Sequence, residues 1–171
     1  WGSVCHGVLS PGMAGMLWEV SMAVVEKSVL VGYSARQMFE LVDQVEHYPR
    51  FLPWCGGTEL KWRDAETTVA TINIDYLAVR QSFTTENAKQ EPHLMVIKLK
   101  EGPFRELEGS WRFVELNQQA CKVEFRLHYE FSSKVLETLV GPLFSHIANS
   151  FLEAFVRRAE KHPTTAHAQN V

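Results

Sequence analysis

The clearest alternation of apolar and polar positions lies in the segment CKVEFRLHYEF, residues 121–131. Apolar or aromatic side chains stand at every second position from Cys121 to Phe131, and charged residues or His128 stand between them. A period of two is typical of a β-strand with one buried and one solvated face. The segment is therefore predicted to be a strand of an antiparallel sheet, since parallel strands are usually covered on both faces.

Other segments of the chain predict six further strands and two helices. Strands are predicted at 24–31 and at about 58–65, 67–77, 79–90, 93–101 and 104–116, and Ser34 is a good N-cap for a helix through about Asp43. From Ser133 to Lys161 apolar residues recur at spacings of one, three and four, which is typical of a long amphipathic helix. The positions predicted to form its apolar face are Val135, Leu136, Leu139, Val140, Leu143, Phe144, Ile147, Phe151, Leu152 and Phe155.

The order of these elements predicts an α+β fold. A strand and a helix precede six strands, and the long helix comes last, so its apolar face is expected to lie across the apolar face of a curved antiparallel sheet. Pro142 has no N–H for the helical hydrogen bond, so a bent helix is expected at Gly141-Pro142 rather than two separate helices.

The segment VEHYPRFLPWC, residues 45–55, has no regular period. Its two prolines prevent one continuous helix, although the segment is rich in apolar and aromatic residues. Two hypotheses fit such a loop. In the first, the loop is a partly exposed apolar flap at the mouth of a cavity, suited to contact with a membrane surface, and is formed by Tyr48, Phe51, Leu52 and Trp54. In the second, the loop plugs one end of the core. Gly56-Gly57 is expected to release the chain into the sheet.

Composition narrows the class of protein. The 171 residues are 46% apolar and 22% charged, as in one ordinary globular domain. The net charge of −3 is spread without a run of like charge, which gives no electrostatic sign of a nucleic-acid partner, and no DNA partner is expected. Residues 1–21 are interpreted as a disordered extension, unlike a signal peptide or transmembrane helix, and 163–171 as a disordered tail, on either side of a domain at 22–162.

Chemistry-bearing residues are sparse. Cys5, Cys55 and Cys121 lack metal-binding or disulfide spacing, which favours a reducing compartment. His47 and Cys55 flank the proline-rich loop, but a catalytic pair also needs an orienting group and an oxyanion site. Asp43, Glu46 and His47 have the spacing of metal ligands, yet a solvated helix end explains them as well. No catalytic or metal residue is therefore predicted.

Four segments in order resemble the START-like family of coenzyme Q-binding proteins and ribosome-association toxin RatA, within the polyketide cyclase/dehydrase and lipid transport superfamily. They are YSARQMFELVDQVEHYPRFLPWC, GPFRELEGSWRF, CKVEFRLHYEF and VGPLFSHIANSFLEAFVRRA. The resemblance covers about residues 22–161. It implies a helix-grip fold, in which a seven-stranded antiparallel sheet surrounds a long C-terminal helix with a cavity between them, so that 22–162 would be a START-like lipid-binding domain.

The resemblance and the strand parity together predict a ligand site. Trp111 and Phe113 share parity with Leu107 and Gly109, and the absent side chain of Gly109 is expected to leave space. Polar inward candidates are Gln81, Lys98 or Lys100, and Tyr129. The predicted ligand-binding residues are Tyr48, Phe51, Leu52, Trp54, Phe83, Met95, Ile97, Leu99, Trp111, Phe113, Phe125, Leu139, Leu143, Phe144, Ile147 and Phe151.

The expected function is non-enzymatic binding of a polyprenyl quinone such as ubiquinone, or another lipid, in support of respiration. No cofactor is expected, and the quinone would be a ligand. The alternatives are a RatA-type ribosome-association toxin that regulates translation, and a polyketide cyclase or aromatase, which needs catalytic groups inside its cavity. The expected location is the cytoplasm, with transient contact at the inner membrane surface. Arg157, Arg158 and Lys161 complement the helix dipole or form an interaction surface.

Overall fold

The structure is a computed structural model that describes residues 20–161. Seven strands form one antiparallel sheet in the order β1-β7-β6-β5-β4-β3-β2, so β1 and β2 lie at its edges. The strands are β1 (Ala23–Val31), β2 (Cys55–Arg63), β3 (Thr67–Tyr76), β4 (Val79–Gln90), β5 (Leu94–Glu101), β6 (Phe104–Asn117) and β7 (Ala120–Phe131).

Two α-helices and one 3₁₀ helix complete the fold. They are α1 (Ala35–Asp43), the 3₁₀ helix Val45–Arg50, and α2 (Lys134–Lys161). The N-cap at Ser34 is confirmed, because its hydroxyl accepts a hydrogen bond from the Gln37 amide while the Gln37 side chain accepts one from the Ser34 amide. The prediction of an α+β helix-grip fold is confirmed.

The start of β2 differs from the prediction. The strand begins at Cys55 and includes Gly56 and Gly57, with a register shift between Cys55 and Gly57 against β3. A Cβ on Gly56 would lie 2.7 Å from the Cβ of Asp75, so the glycine permits a close approach of β3. The expected release into the sheet at these two residues is wrong, because both already belong to the edge strand.

The long helix α2 lies against the sheet at β1 and β7 and touches α1. Its fully buried residues are Val140, Phe144, Ile147, Ala148, Leu152, Phe155 and Ala159. Two members of the predicted apolar face are on the other side, since Val135 is 68% exposed and Leu139 is 67% exposed. At about 100° per residue they lie nearly opposite the buried face, so the predicted face was too broad.

The helix α2 is continuous through Pro142, which confirms one helix rather than two. The bend expected at Pro142 stays a prediction. Within residues 20–161, α2 is long and apolar enough to cross a membrane by length and composition alone, a test that the core helix of a soluble protein also passes. Here the apolar face of α2 packs on the sheet.

The chain enters the domain slightly before the predicted boundary. Val20 packs against the core, and the Ser21 amide donates a 3.0 Å hydrogen bond to Glu137 Oε2 on α2. The rest of the predicted extension 1–21, and the predicted tail 163–171, lie outside the described residues.

Candidate ligand-binding cavity

A cavity lies between the inner face of the sheet and α2. Every strand from β3 to β7 contributes to it, and α1, the 3₁₀ helix and the loop before β2 close one end. Its walls are formed by Val42, Val45, Tyr48, Trp54, Ile72, Phe83, Thr85, Asn87, Met95, Ile97, Leu107, Trp111, Phe125, Leu127, Phe144, Ile147, Ala148 and Phe151.

The cavity is narrow. About 630 Å³ of space free of protein atoms lies in the cavity and its mouth, and the centre of a water-sized sphere reaches about 60 Å³ of it. A single water needs roughly 10–15 Å³ by that second measure, so the reachable space equals that of a few waters. A flat ring or a short chain matches this size, whereas a long lipid tail does not.

Two groups of aromatic rings flank the cavity along α2. Near one end, the ring centroid of Phe151 lies 5.7 Å from that of Trp111 and 6.0 Å from that of Trp54. Near the other, the ring centroid of Phe144 lies 6.2 Å from that of Phe83. Ile147 and Ala148 fall between these rings on the helix and line the cavity. The arrangement makes the walls stiff and predominantly apolar.

The structure brings ten of the predicted ligand-binding residues to the cavity. Whether they bind a ligand stays a prediction. They are Tyr48, Trp54, Phe83, Met95, Ile97, Trp111, Phe125, Phe144, Ile147 and Phe151.

Six predicted residues lie away from the cavity wall. Leu52 and Phe113 are buried in the core, and Leu99, Leu143 and Phe51 are partly buried against it. Leu139 is exposed on the opposite face of α2. Their apolar character predicted burial for most of them, but parity and helical spacing do not separate a cavity wall from the packed core beside it.

The predicted exposed flap is wrong. Tyr48 is 4% exposed, Leu52 1% and Trp54 7%, so the loop plugs one end of the core, as the other hypothesis held. The Tyr48 hydroxyl donates a hydrogen bond to the carbonyl oxygen of Val42. Burial, together with the nearby Asp43 carboxylate, raises the pKa of Tyr48 above its ordinary value, so the hydroxyl is neutral.

Gly109 does not leave space in the cavity. A Cβ on Gly109 would lie 2.6 Å from the Arg126 carbonyl oxygen and 2.9 Å from Leu127 Cδ1. The glycine therefore permits close packing of β6 against β7, and Leu127 occupies the position of the missing side chain. The expectation that Gly109 widens the cavity is wrong.

The sequence-based reasoning missed two polar wall residues, Thr85 and Asn87. Both are buried and follow Phe83 at intervals of two on β4, so the parity that identified Phe83 would also have found them. The polar candidates chosen instead do not line the cavity: Lys98 and Lys100 are exposed, Gln81 is partly buried, and Tyr129 is buried elsewhere in the core. Within the part of the chain that the structure describes, the Oδ1 atom of Asn87 has no hydrogen-bond partner.

The other residues missed as cavity walls are apolar. Val42 lies at the end of α1 and Val45 in the 3₁₀ helix, where the sequence has no period that would show which way a side chain points. Ala148 is too small to mark an apolar face in a helical pattern. The remaining missed positions are Ile72 and Leu127, while Leu107, which was expected to face inward, lines the cavity.

Neither described cysteine has the environment of a nucleophile. Cys55 Sγ lies 3.5 Å from the Gly57 carbonyl oxygen, and burial raises the pKa of the Cys55 thiol above its ordinary value. Burial also raises the pKa of Cys121 to about 11. Both thiols are protonated at neutral pH, and a thiolate is the reactive form. These properties disfavour a thiol–imidazole pair of Cys55 with His47.

The carboxylates of Asp43 and Glu46 bind cations of the protein. Arg63 Nη2 lies 2.7 Å from Glu46 Oε2, and Lys89 Nζ lies 3.2 Å from Asp43 Oδ2. The hydrogen bonds from Arg63 lower the pKa of the Glu46 carboxyl below its ordinary value. A different set, Glu106, Glu108 and His128, has metal-ligand spacing within the described part of the chain. It lies on β6 and β7 at the solvated face, away from the cavity.

A basic groove lies where the plugging loop meets the end of α2. We define it by Arg50, Arg157, Arg158 and Lys161, which line it together with Phe51. The Arg158 guanidinium lies over the Phe51 ring, 5.2 Å from its centroid. The sequence showed no run of positive charge, because Arg50 is distant along the chain and joins the other cations only through the fold.

The sequence profile described as polyketide cyclase/dehydrase and lipid transport matches residues 31–156. The chain belongs to this family. Structures of the family's helix-grip type share the fold: the Zhui aromatase/cyclase from Streptomyces sp. R1128 aligns with a TM-score of 0.71 at 16% identity, covering 88% of this chain and all of that one. A START superfamily protein from Mycobacterium smegmatis aligns with a TM-score of 0.64 at 20% identity, covering 81% of this chain and 97% of that one.

Relatives within the polyketide cyclase/dehydrase and lipid transport family carry two kinds of name. The ribosome association toxin RatA of Escherichia coli K12 is 35% identical over 85% of this chain and 92% of its own length. That of Vibrio cholerae is 39% identical over 82% of this chain and 97% of its own length. The mitochondrial coenzyme Q-binding protein COQ10 homolog B of Xenopus laevis is 25% identical over 78% of this chain and 56% of its own length.

Proposed function

We propose that this protein binds an apolar small molecule, of the polyprenyl-quinone or a related lipid class, in the cavity between the sheet and α2 without transforming it. The observation that carries the proposal is the apolar wall, in which the polar side-chain atoms are confined to Tyr48, Thr85, Asn87 and the indole N–H groups of Trp54 and Trp111. Each buried methylene contributes about 0.8 kcal/mol to binding, so a few isoprene carbons suffice for useful affinity.

The wall chemistry favours binding over catalysis. A cyclase needs a positioned acid or base in its cavity. Among the lining residues only Tyr48 can ionise, and its hydroxyl is neutral and donated to a backbone carbonyl. Support for respiration, a cytoplasmic location and transient contact with a membrane remain parts of the proposal. Because the cavity is narrow, the ligand's ring and first chain atoms would lie inside and the rest of its tail outside.

The substitution Ile147→Trp tests the cavity. Ile147 is 4% exposed and lines it between the two aromatic groups, so the larger ring should enter the free space and displace the ligand while the fold survives. We expect the variant to lose co-purifying lipid, measured by extraction and mass spectrometry, with thermal stability close to that of the parent. Overpacking of a solid core instead costs 1–3 kcal/mol, roughly several degrees.

The matched control is Val135→Trp, which places the same ring on the exposed face of α2. It should keep both stability and lipid. If the parent protein carries no lipid, and Ile147→Trp clearly destabilises the fold while Val135→Trp does not, the region is a packed core and the proposal fails.

Association with a ribosome is the second candidate function. The specific observation in its favour is the basic groove, whose four cations form no ion pair among residues 20–161 under a 4.0 Å limit. Cations that gather beside an aromatic ring suit an RNA backbone. The RatA relatives, named as ribosome association toxins, also support it.

A salt series on ribosome binding tests this second function. Binding to ribosomal subunits, followed by co-sedimentation, should weaken steeply with salt. The variant Arg50→Gln/Arg157→Gln/Lys161→Gln should bind more weakly. The slope of its log binding constant against log salt concentration should be smaller in magnitude by about 2. The control Lys27→Gln/Lys98→Gln/Lys100→Gln removes the same charge from exposed positions elsewhere. Equal losses in both variants would show that only net charge matters and that the groove has no role.

A further inference from the structure

Among the residues that line the cavity, Asn87 is the one with a fully buried side-chain atom that lacks a hydrogen-bond partner. It lies on β4, where Phe83, Thr85, Asn87 and Lys89 all turn inward, and it is 8% exposed. Its neighbours across the sheet are Thr68 on β3 and Ile97 on β5. Its Oδ1 atom is buried and has no hydrogen-bond partner among residues 20–161.

Three other buried polar side chains near it, those of Thr68, Lys89 and Thr84, are paired. Thr68 Oγ1 donates to Asp43 Oδ1 at 2.7 Å, and Lys89 Nζ lies 3.2 Å from Asp43 Oδ2. Thr84 Oγ1 and Thr71 Oγ1 share a 2.7 Å hydrogen bond. Buried polar atoms in native proteins are nearly always paired, because an unpaired one loses its hydration without compensation. A lone acceptor in a cavity wall therefore points to a partner that enters the cavity.

We infer that Asn87 selects ligands that carry a hydrogen-bond donor, so that within the proposed class the favoured ligand is an apolar molecule with a hydroxylated ring, such as an alkylphenol or the reduced quinol rather than the oxidised quinone, which has no O–H. The inference rests on the proposed function. The carboxamide oxygen accepts the ligand's O–H, and the apolar wall holds the ring and the first atoms of its chain. The narrow space and the aromatic rings at both ends suit one flat ring.

The test compares 4-propylphenol with 4-propylanisole, which has the same ring and chain but no donor. Isothermal titration calorimetry on the full chain should show the phenol binding about tenfold more tightly, the effect of one net hydrogen bond. In Asn87→Leu the phenol and the anisole should bind with nearly equal affinity, because leucine has a similar size to asparagine but no hydrogen-bond acceptor. The anisole should bind that variant at least as well as it binds the parent.

The matched control is Asn73→Leu on the neighbouring strand β3. Asn73 lies between the inward-facing Ile72 and Ile74, so it is on the solvated face, where its Oδ1 accepts a hydrogen bond from Ser82. This variant should keep the preference for the phenol. Asn87→Ala provides a second variant without the acceptor should leucine prevent folding, and it should lose the preference as well.

The outcomes separate the inference from the proposed function. Equal affinities of the parent for both compounds, or a preference that survives in Asn87→Leu or Asn87→Ala, overturn the role of Asn87 and leave ligand binding standing. Binding of neither compound to the parent, together with the absence of co-purifying lipid, overturns both.

Discussion

Asp43 joins three separate parts of the protein through one carboxylate. It ends α1, accepts the hydroxyl of Thr68 from β3, and pairs with Lys89 from β4. Arg63 of β2 donates to the Asp43 carbonyl oxygen at 2.7 Å. The side chain of Lys89 is only 1% exposed, and Asp43 is its nearest counter-charge. Glu91, at 3.8 Å and 39% exposed, is a weaker one.

Asp43→Asn should therefore destabilise the protein by about 2–3 kcal/mol, because a buried lysine is left without its main counter-charge. Urea unfolding measures the change. Adding Lys89→Met should recover part of the loss, since the unpaired charge is then removed. Glu59→Gln, which breaks the exposed pair of Glu59 with Lys61, should cost less than about 1 kcal/mol. Losses of equal size in Asp43→Asn and Glu59→Gln would contradict this account.

The helix α2 contains a proline in its first half and still runs unbroken. Pro142 has no amide hydrogen to donate to the carbonyl four residues earlier, which is that of Thr138. Phe144 and Ile147, two of the four cavity residues of α2, lie two and five positions later. The path of the helix at Pro142 thus governs how near these side chains come to the sheet.

Pro142→Ala should raise the free energy of unfolding by about 1 kcal/mol, because alanine restores the helical hydrogen bond and has a far better helix propensity. If the helix straightens, Phe144 and Ile147 shift toward the sheet, and binding of 4-propylphenol should weaken. The exposed change Glu153→Ala on the same helix serves as the control and should stay within about 0.5 kcal/mol. A Pro142→Ala protein that is less stable than the parent would mean that the proline itself fits the packing.

The arrangement of the whole molecule followed from the sequence because its elements have strong periods. The alternation from Cys121 to Phe131 and the helical spacing from Val140 to Phe155 left little choice but a sheet facing a helix. Loops and glycines were not predictable in this way. The segment at Tyr48 has no period, so its apolar residues fitted an exposed flap as well as the buried plug that the structure shows.

The cavity itself was predictable only in part, for a physical reason. Parity says which face of a strand a side chain occupies, but it does not say whether the space in front of that side chain is filled. Phe113 and Trp111 share a face, and only Trp111 lines the cavity. A glycine is equally ambiguous, since Gly109 can mean either a void or a close contact, and here it is a close contact.

The position of β1 has a consequence for synthesis and folding. It pairs with β7, so Ala23 lies opposite Tyr129, although about 100 residues separate them in the chain. Closing so long a loop is entropically costly before any contact compensates for it, and such topologies fold slowly. During synthesis β1 is made before its partner β7, and α2, which covers the apolar face, is made after β7. The apolar face of the sheet therefore stays uncovered until α2 has been made, and such exposed apolar surface promotes aggregation of folding intermediates.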